Sequence, residues 1–182
     1  MKAAAKFVYW NFANIVNEVE EIIDGEKQVK HSHIQKKIEG MLEKEEQIAK
    51  FSKKNPDIIT SFLEFPTPVL IQSGETFNIN KFNVQSNGKP LNYETVYINV
   101  CTKYKDMNAM ASRTLLVNPK DDQKKAYMIA NDTLDHIIKN LKVGEPIKNA
   151  YIAGRQFITE KSADLANKIH SNFGFGVILI IT

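Results

Sequence analysis

The spacing of hydrophobic residues changes twice along this chain, from helical to strand-like and back to helical. Between residues 6 and 25, apolar side chains recur at steps of three and four, which predicts an amphipathic helix that ends at Gly25. A second helix is predicted to begin with Ser32 as its N-cap and to run through "HIQKKIEGMLEKEEQ". The charged, proline-containing stretch "KKNPD" then indicates a surface connection.

The middle of the chain, from about Ser61 to Val117, carries strand-like sequence. Its candidate strands are "PVLIQ", "KFNV", "TVYINVCTKY" and "RTLLV", and Ser-Gly and "SNGKP" turns separate them. The run Met107–Ser112, between the last two candidates, consists mainly of small and thioether side chains. Such a run neither forms a good strand nor carries an evident reactive group.

The helical period returns after these strands. Asn118 is predicted as an N-cap with Pro119 at the first helical position, and this helix is expected to reach Gly144. A helix through "IKNAYIAGRQFI" and a shorter one from Ser162 to His170 follow. The closing segment "GFGVILIIT" is typical of a strand.

Two parts of the chain share one arrangement, a long helix, a glycine stop and a shorter second helix. "VEEIIDG" followed by "HIQKKI" resembles "HIIKNLKVG" followed by "IKNAYI". The repetition favours a pseudo-twofold α+β lobe, in which helices pack on one face of a mainly antiparallel sheet. Chance similarity between two amphipathic helix pairs is the alternative explanation.

Composition restricts the class of protein further. The 182 residues are enough for one domain or one large lobe with a substantial core. A net charge of +3, with both signs mixed along the chain, gives no independent support for nucleic-acid binding. The single cysteine, Cys101, excludes an internal disulfide, and no segment has the pattern of a membrane span or a signal peptide. The sequence therefore predicts a soluble intracellular protein.

Several short motifs, taken in order, resemble one known family. They are "VKHSHIQKKIE", "IQSGETFNINKFNV", "YK" at 104–105, "RTLLVNP" at 113–119 and "NFGFGV" at 172–177. In order and spacing they are similar to the peptidase-like amino-terminal domain of the large subunit of the FACT histone chaperone. The resemblance implies the "pita-bread" fold of creatinases and aminopeptidases. It also implies that residues 1–182 form a single incomplete lobe, without the family's preceding lobe and following strands.

The resemblance further implies where active peptidase relatives would carry metal ligands. Such relatives hold two divalent ions with two Asp, one His and two Glu. The first Asp position is Asn99 here, the second is Met110 and the His position is Phe175. A substrate-side His falls near Lys81, and the two Glu positions lie beyond Thr182. Because amide, thioether and phenyl groups cannot neutralise two divalent cations, we expect a degenerate site without metal ligands, catalytic residues or a cofactor.

By resemblance, the chain is therefore expected to be a non-catalytic module of a FACT-type complex. Its expected partners are core histones, the second FACT subunit within the full-length complex, and DNA reached indirectly through nucleosomes. The expected location is nuclear chromatin, in transcription, replication and repair, and the histone-binding residues are unknown. The alternatives are a divergent metal-dependent aminopeptidase and a nucleic-acid-binding pseudo-peptidase.

The remaining histidines and the cysteine have simpler structural interpretations. His31 and His33 lie in a polar stretch before a helix and are predicted to be exposed cap or turn residues. His136 and His170 are expected to be packed or exposed helix residues. Cys101 has no cationic neighbours in sequence, so we expect a small buried apolar residue.

Three polar or glycine-rich features receive similar interpretations. Asp106 lies four residues before Met110 and is predicted to be a solvated turn residue rather than a displaced ligand. The segment Gly174–Gly176 precedes a strand instead of opening a helix, so it does not fit dinucleotide binding. The acidic runs "EVEEIIDGE" and "EKEEQ" are interpreted as solvated helix faces.

Overall fold

The computed structural model of the chain describes residues 2–74, residue 77 and residues 85–169. Two compact units make up the chain, the first ending at Val117 and the second beginning at Asn118. None of the helices in the described ranges is both long enough and apolar enough to cross a membrane.

Within its described residues, the first unit combines three helices with four strands. The helices are α1 (Lys2–Asp24), α2 (His31–Glu39) and α3 (Glu45–Lys54), with short 3₁₀ turns at Gly40–Leu42 and Thr60–Phe62. The strands are β1 (Leu63–Glu64), β2 (Leu70–Ser73), β3 (Thr95–Tyr104) and β4 (Met107–Leu116).

Strand β3 is the centre of an antiparallel sheet. Along one edge it pairs with β4 over its whole length, from Thr95 opposite Leu116 to Tyr104 opposite Met107. Its other edge pairs first with β2 and then, near Tyr104, with β1. The predicted antiparallel sheet is therefore confirmed for the described strands.

Helix α1 covers one face of this sheet. Its apolar stripe packs with α2 and with alternate residues of β3 in one buried cluster, whose members include Ile15, Val19, Ile22, Ile34, Ile38, Val96, Ile98 and Val100. A second cluster at the beginning of α1 centres on Phe7, which contacts the rings of Trp10, Phe51 and Phe65. The hydroxyl of Thr102 donates to the carbonyl of Ala4 and links the helix to the sheet.

The part of the second unit that the structure describes is a group of three helices. They are α4 (Asp121–Asn140), α5 (Ile147–Lys161) and α6 (Ala163–Lys168), and α5 packs against both of the others. The Arg155 guanidinium donates to the carbonyl of Ala166 at 2.6 Å and joins α5 to α6. With the helix-covered sheet of the first unit, this arrangement confirms the predicted α+β class.

Helix α1 ends at Asp24, directly before the predicted Gly25 stop, whereas the boundaries of α2 and α4 differ from prediction. The left-handed residue after α1 is Glu26, with φ of 48°, and not Gly25. Helix α2 begins at His31 with the extended Lys30 as its N-cap, so Ser32 is not the cap. It ends at Glu39, and the sequence beyond forms the separate helix α3, which the prediction missed.

The start of the second unit was also placed wrongly. Asn118 has φ of 48° and lies outside the helix, whose N-cap is Lys120. The side chain of Gln123 accepts the Lys120 backbone N–H and so caps this end. The helix ends at Asn140 instead of Gly144. The predicted strands "KFNV" and "GFGVILIIT" lie outside the described residues.

Candidate functional site

The β3–β4 hairpin brings two of the predicted site positions together. In its register, Asn99 lies opposite Ser112 and Cys101 lies opposite Met110. Asn99 and Met110 are therefore diagonal neighbours on adjacent strands. Side chains in this relation lie on one face of a sheet and within reach of each other.

Alternation along the strands decides which face these residues share. Val96, Ile98 and Val100 point into the core beneath α1 and are fully buried. Their neighbours in sequence point to the opposite side. We call this side the hairpin face and define it by Tyr97, Asn99, Cys101, Met110 and Ser112.

One hydroxyl group organises the hydrogen bonds of the hairpin face. The Oγ atom of Ser112 accepts the Nδ2–H of Asn99 at 2.8 Å. It also accepts the phenol O–H of Tyr97 at 3.1 Å. Asn99 and Tyr97 are thus both tied to β4 through one side chain, and the face presents neutral hydrogen-bonding groups.

These residues do not fit the pair of divalent ions that the family resemblance implies. Asn99 offers one neutral carbonyl oxygen, and Met110 offers a soft thioether sulfur, whereas such ions need anionic oxygen or imidazole ligands. Across the described ranges, no three His, Cys, Asp or Glu side chains come close enough together to hold a metal ion. Asn99 and Met110 are diagonal neighbours, and neither side chain carries a carboxylate.

The hairpin face also contains the single thiol. Cys101 is buried, as predicted, with 4% of its surface exposed. Burial raises the pKa of this thiol, because the thiolate would lose its hydration, and a hydrogen bond with Thr67 lowers the pKa in part. A neutral, buried thiol is a weak nucleophile.

The run Met107–Ser112, which lacks typical strand residues, lies entirely within β4. The turn of the hairpin needs only Lys105 and Asp106, because Tyr104 already lies opposite Met107. Lys105 adopts φ of 52°, and Asp106 is exposed in the turn, as predicted. The expectation that this run forms a poor strand was wrong because it followed β propensity, which tertiary packing overrides.

The small residues of this segment have a packing role. Ala109 and Ala111 lie against the core cluster under α1, and α1 contacts β4 directly. A methyl side chain at these positions allows the helix and the strand to approach closely. The run of small side chains is therefore explained by helix–sheet packing on one face, while Met110 and Ser112 face the other side.

The histidine predictions have different outcomes. His31 was expected to be exposed and is fully buried, which is a clear error. His33 is exposed, as predicted. His136 is packed, with its ring stacked on Phe157 at 4.6 Å. His170 lies outside the described residues, as do Lys81, Phe175 and the Gly174–Gly176 segment.

The error at His31 reflects a polar stripe on α2 that the sequence reasoning missed. His31, Gln35 and Glu39 recur at every fourth residue, so they share one face of the helix. Each forms hydrogen bonds outside its own helix, with Ser73, Ser86 and Val69 respectively. The four-residue spacing of polar side chains was the available signal, but spacing alone does not distinguish a polar stripe that faces the protein from a solvated one.

Comparison with known proteins shows several matches. The model of metallopeptidase family M24 matches residues 1–181. The FACT complex subunit ctc-2 of Neurospora crassa is 25% identical over 167 residues, which cover 89% of this chain and 16% of the relative. The chain thus spans about one sixth of the length of this relative.

Two solved structures are similar in fold. The N-terminal domain of FACT complex subunit SPT16 from chickpea superposes with a TM-score of 0.81 and 25% identity, covering 92% of this chain and 38% of that one. The prolidase of Pyrococcus furiosus superposes with a TM-score of 0.53 and 16% identity, covering 89% of this chain and 44% of that one. The second match shows the fold alone.

Proposed function

The chain belongs to metallopeptidase family M24, and on that premise we propose that it keeps the family fold as a binding module without peptidase catalysis. The observation that carries the proposal is the diagonal pair Asn99 and Met110, which lies where the family resemblance implies two aspartates. Loss of both carboxylates removes the charge that a pair of divalent cations requires. The neutral hydrogen bonds around Ser112 support the same conclusion.

The role we propose is that of a histone- and nucleosome-binding module in a FACT-type chromatin complex. Its support is the similarity to FACT complex subunits over most of this chain. The proposed partners are core histones and the second FACT subunit, with DNA reached through nucleosomes. The proposed setting is nuclear chromatin during transcription, replication and repair.

Net charge restricts how such binding would work. The chain carries +3, so general attraction to basic histones is not available to it. Recognition would therefore depend on shape and on specific hydrogen bonds. We expect binding that survives physiological salt and that does not extend to other basic proteins.

A pull-down tests the proposed partner class. The immobilised chain is incubated separately with each purified pair of core histones at about 150 mM salt, where long-range attraction is screened. Lysozyme, a basic protein of unrelated fold, is the control. We expect retention of at least one histone pair and no retention of lysozyme. Equal retention of lysozyme, or of short DNA duplexes with a steep loss at higher salt, would contradict the proposal.

Calorimetric titration with metal ions separately tests whether the chain lacks the metal site that peptidase catalysis would need. The metal-free chain is titrated with manganese, cobalt and zinc, alongside the double variant Asn99→Asp with Met110→Asp. We expect no stoichiometric binding by the unmodified chain and a measurable gain in the variant, since two carboxylates then meet on the hairpin face. Tight binding of two ions by the unmodified chain would instead favour a divergent metal-dependent aminopeptidase.

A further inference from the structure

Strand β2 has one edge that no described strand pairs with, and side chains bond the backbone groups of Val69 and Ile71 along it. Its other edge is paired with β3. On the side away from β3, the backbone N–H of Val69, just before the strand, donates to Glu39 Oε1 at 2.8 Å. The N–H of Ile71 donates to Ser86 Oγ at 2.9 Å, and the same hydroxyl donates to the carbonyl of Val69 at 3.1 Å. These bonds replace those that a neighbouring strand would make.

Helix α2 holds the replacing groups in position. The Oε1 atom of Gln35 accepts the backbone N–H of Ser86 at 2.9 Å. The Nε2 group of Gln35 donates to Glu39 Oε1 at 3.1 Å, so the two helical side chains are themselves joined. We call Gln35, Glu39 and Ser86 the edge cap.

His31 extends this arrangement to the end of β2. The Oδ1 atom of Asn87 accepts the backbone N–H of Lys89. The same oxygen lies 2.7 Å from Nδ1 of His31, and because an amide oxygen can only accept, Nδ1 is the donor. In the neutral ring, Nε2 then accepts the hydroxyl of Ser73 at 2.6 Å. Ser73 in turn accepts the backbone N–H of Asn92 at 2.7 Å.

We infer that the edge cap fixes the position of β2 and prevents any further strand from pairing with it. Val69 and Ile71 are fully buried, so their backbone groups would carry a large energetic cost if left without partners. An incoming strand would have to displace three side chains that already satisfy each other. Because unprotected sheet edges recruit other strands, the cap directs strand-type partners away from this side of the sheet.

Hydrogen exchange followed by NMR tests the cap one bond at a time. Ser86→Ala removes the acceptor of the Ile71 amide, and Ser52→Ala is the matched control, since its hydroxyl donates to Ile48 within α3. We expect the Ile71 amide to exchange roughly tenfold faster in Ser86→Ala, with the amides of α1 unchanged. No such change should occur in Ser52→Ala. An unchanged Ile71 amide in folded Ser86→Ala would overturn the inference.

A second pair of variants tests Glu39. Glu39→Gln keeps a side-chain oxygen for the Val69 amide, whereas Glu39→Leu removes it. We expect fast exchange of the Val69 amide only in Glu39→Leu. Equal exchange in both variants would show that the bond does not protect this edge.

Self-association tests the exclusion of other strands. The double variant Ser86→Ala with Glu39→Leu is compared with the unmodified chain by light scattering over a concentration series. We expect the double variant to form more dimers and larger species than the unmodified chain at each concentration. If the double variant does not fold, the two single-variant exchange measurements decide the inference. A folded double variant that associates no more than the unmodified chain would overturn the exclusion.

Discussion

At the scale of single residues, Ser112 is the main organising group of the hairpin face. It lies opposite Asn99 in the register and accepts bonds from both Asn99 and Tyr97. The amide of Asn99 and the hydroxyl of Ser112 link the two strands here, so we expect the cluster to stabilise the hairpin.

Replacing Ser112 should therefore weaken the hairpin. In Ser112→Ala, Asn99 and Tyr97 lose a common acceptor, and we expect the free energy of unfolding to fall by about 1–2 kcal/mol. Urea denaturation measures the difference. The control Ser61→Ala alters an exposed hydroxyl and should change stability by less than about 0.5 kcal/mol. Equal stability of the two variants would show that the cluster contributes nothing.

At the scale of elements, α1 determines the arrangement of the first unit. It is 23 residues long, and its apolar side supplies members of both core clusters. Ala109 and Ala111 allow β4 to pack near it, which explains why β4 is poor in typical strand residues. Strand β4, which β propensity did not indicate clearly, is thus determined by its packing against α1.

Phe7 is the position of α1 where a substitution should cost most. Its ring is fully buried and meets three other aromatic rings. Phe7→Ala should lower the free energy of unfolding by about 3–5 kcal/mol, because it leaves a cavity among rings that cannot close over it. Tyr9→Ala, at a side chain that is 79% exposed, is the control and should have little effect. Denaturant unfolding of both variants gives the comparison.

At the scale of the whole molecule, the two units differ in how many apolar side chains they bury. The buried apolar side chains described in the second unit are Ala150, Ile158 and Ala166, whereas those of the first unit include Phe7, Phe51 and many large aliphatic side chains. Helix α4 buries only Thr133 among its described residues. Local stability follows buried apolar contact, so the units should not be equally protected.

Hydrogen exchange should reveal this difference directly. We expect amides in the middle of α4 to exchange at least about tenfold faster than those in the middle of α1, since α4 opens with less loss of buried apolar surface. Mass spectrometry of peptides from both helices measures the rates in one sample. Equal protection of the two helices would show that the second unit gains stability from contacts beyond its own core.

The sequence by itself determined most of the element types, the antiparallel character of the sheet and the identities at the predicted metal positions. Hydrophobic period predicts α1 and β3 closely, because the burial of one face imposes that period on any chain. Only the tertiary structure decided that Met107–Leu116 is a strand and that His31 and Gln35 are buried. For the strand and for the two buried polar residues alike, the deciding contacts come from segments distant in sequence. The local spacing of residues carries no information about which polar group will find a partner on such a segment.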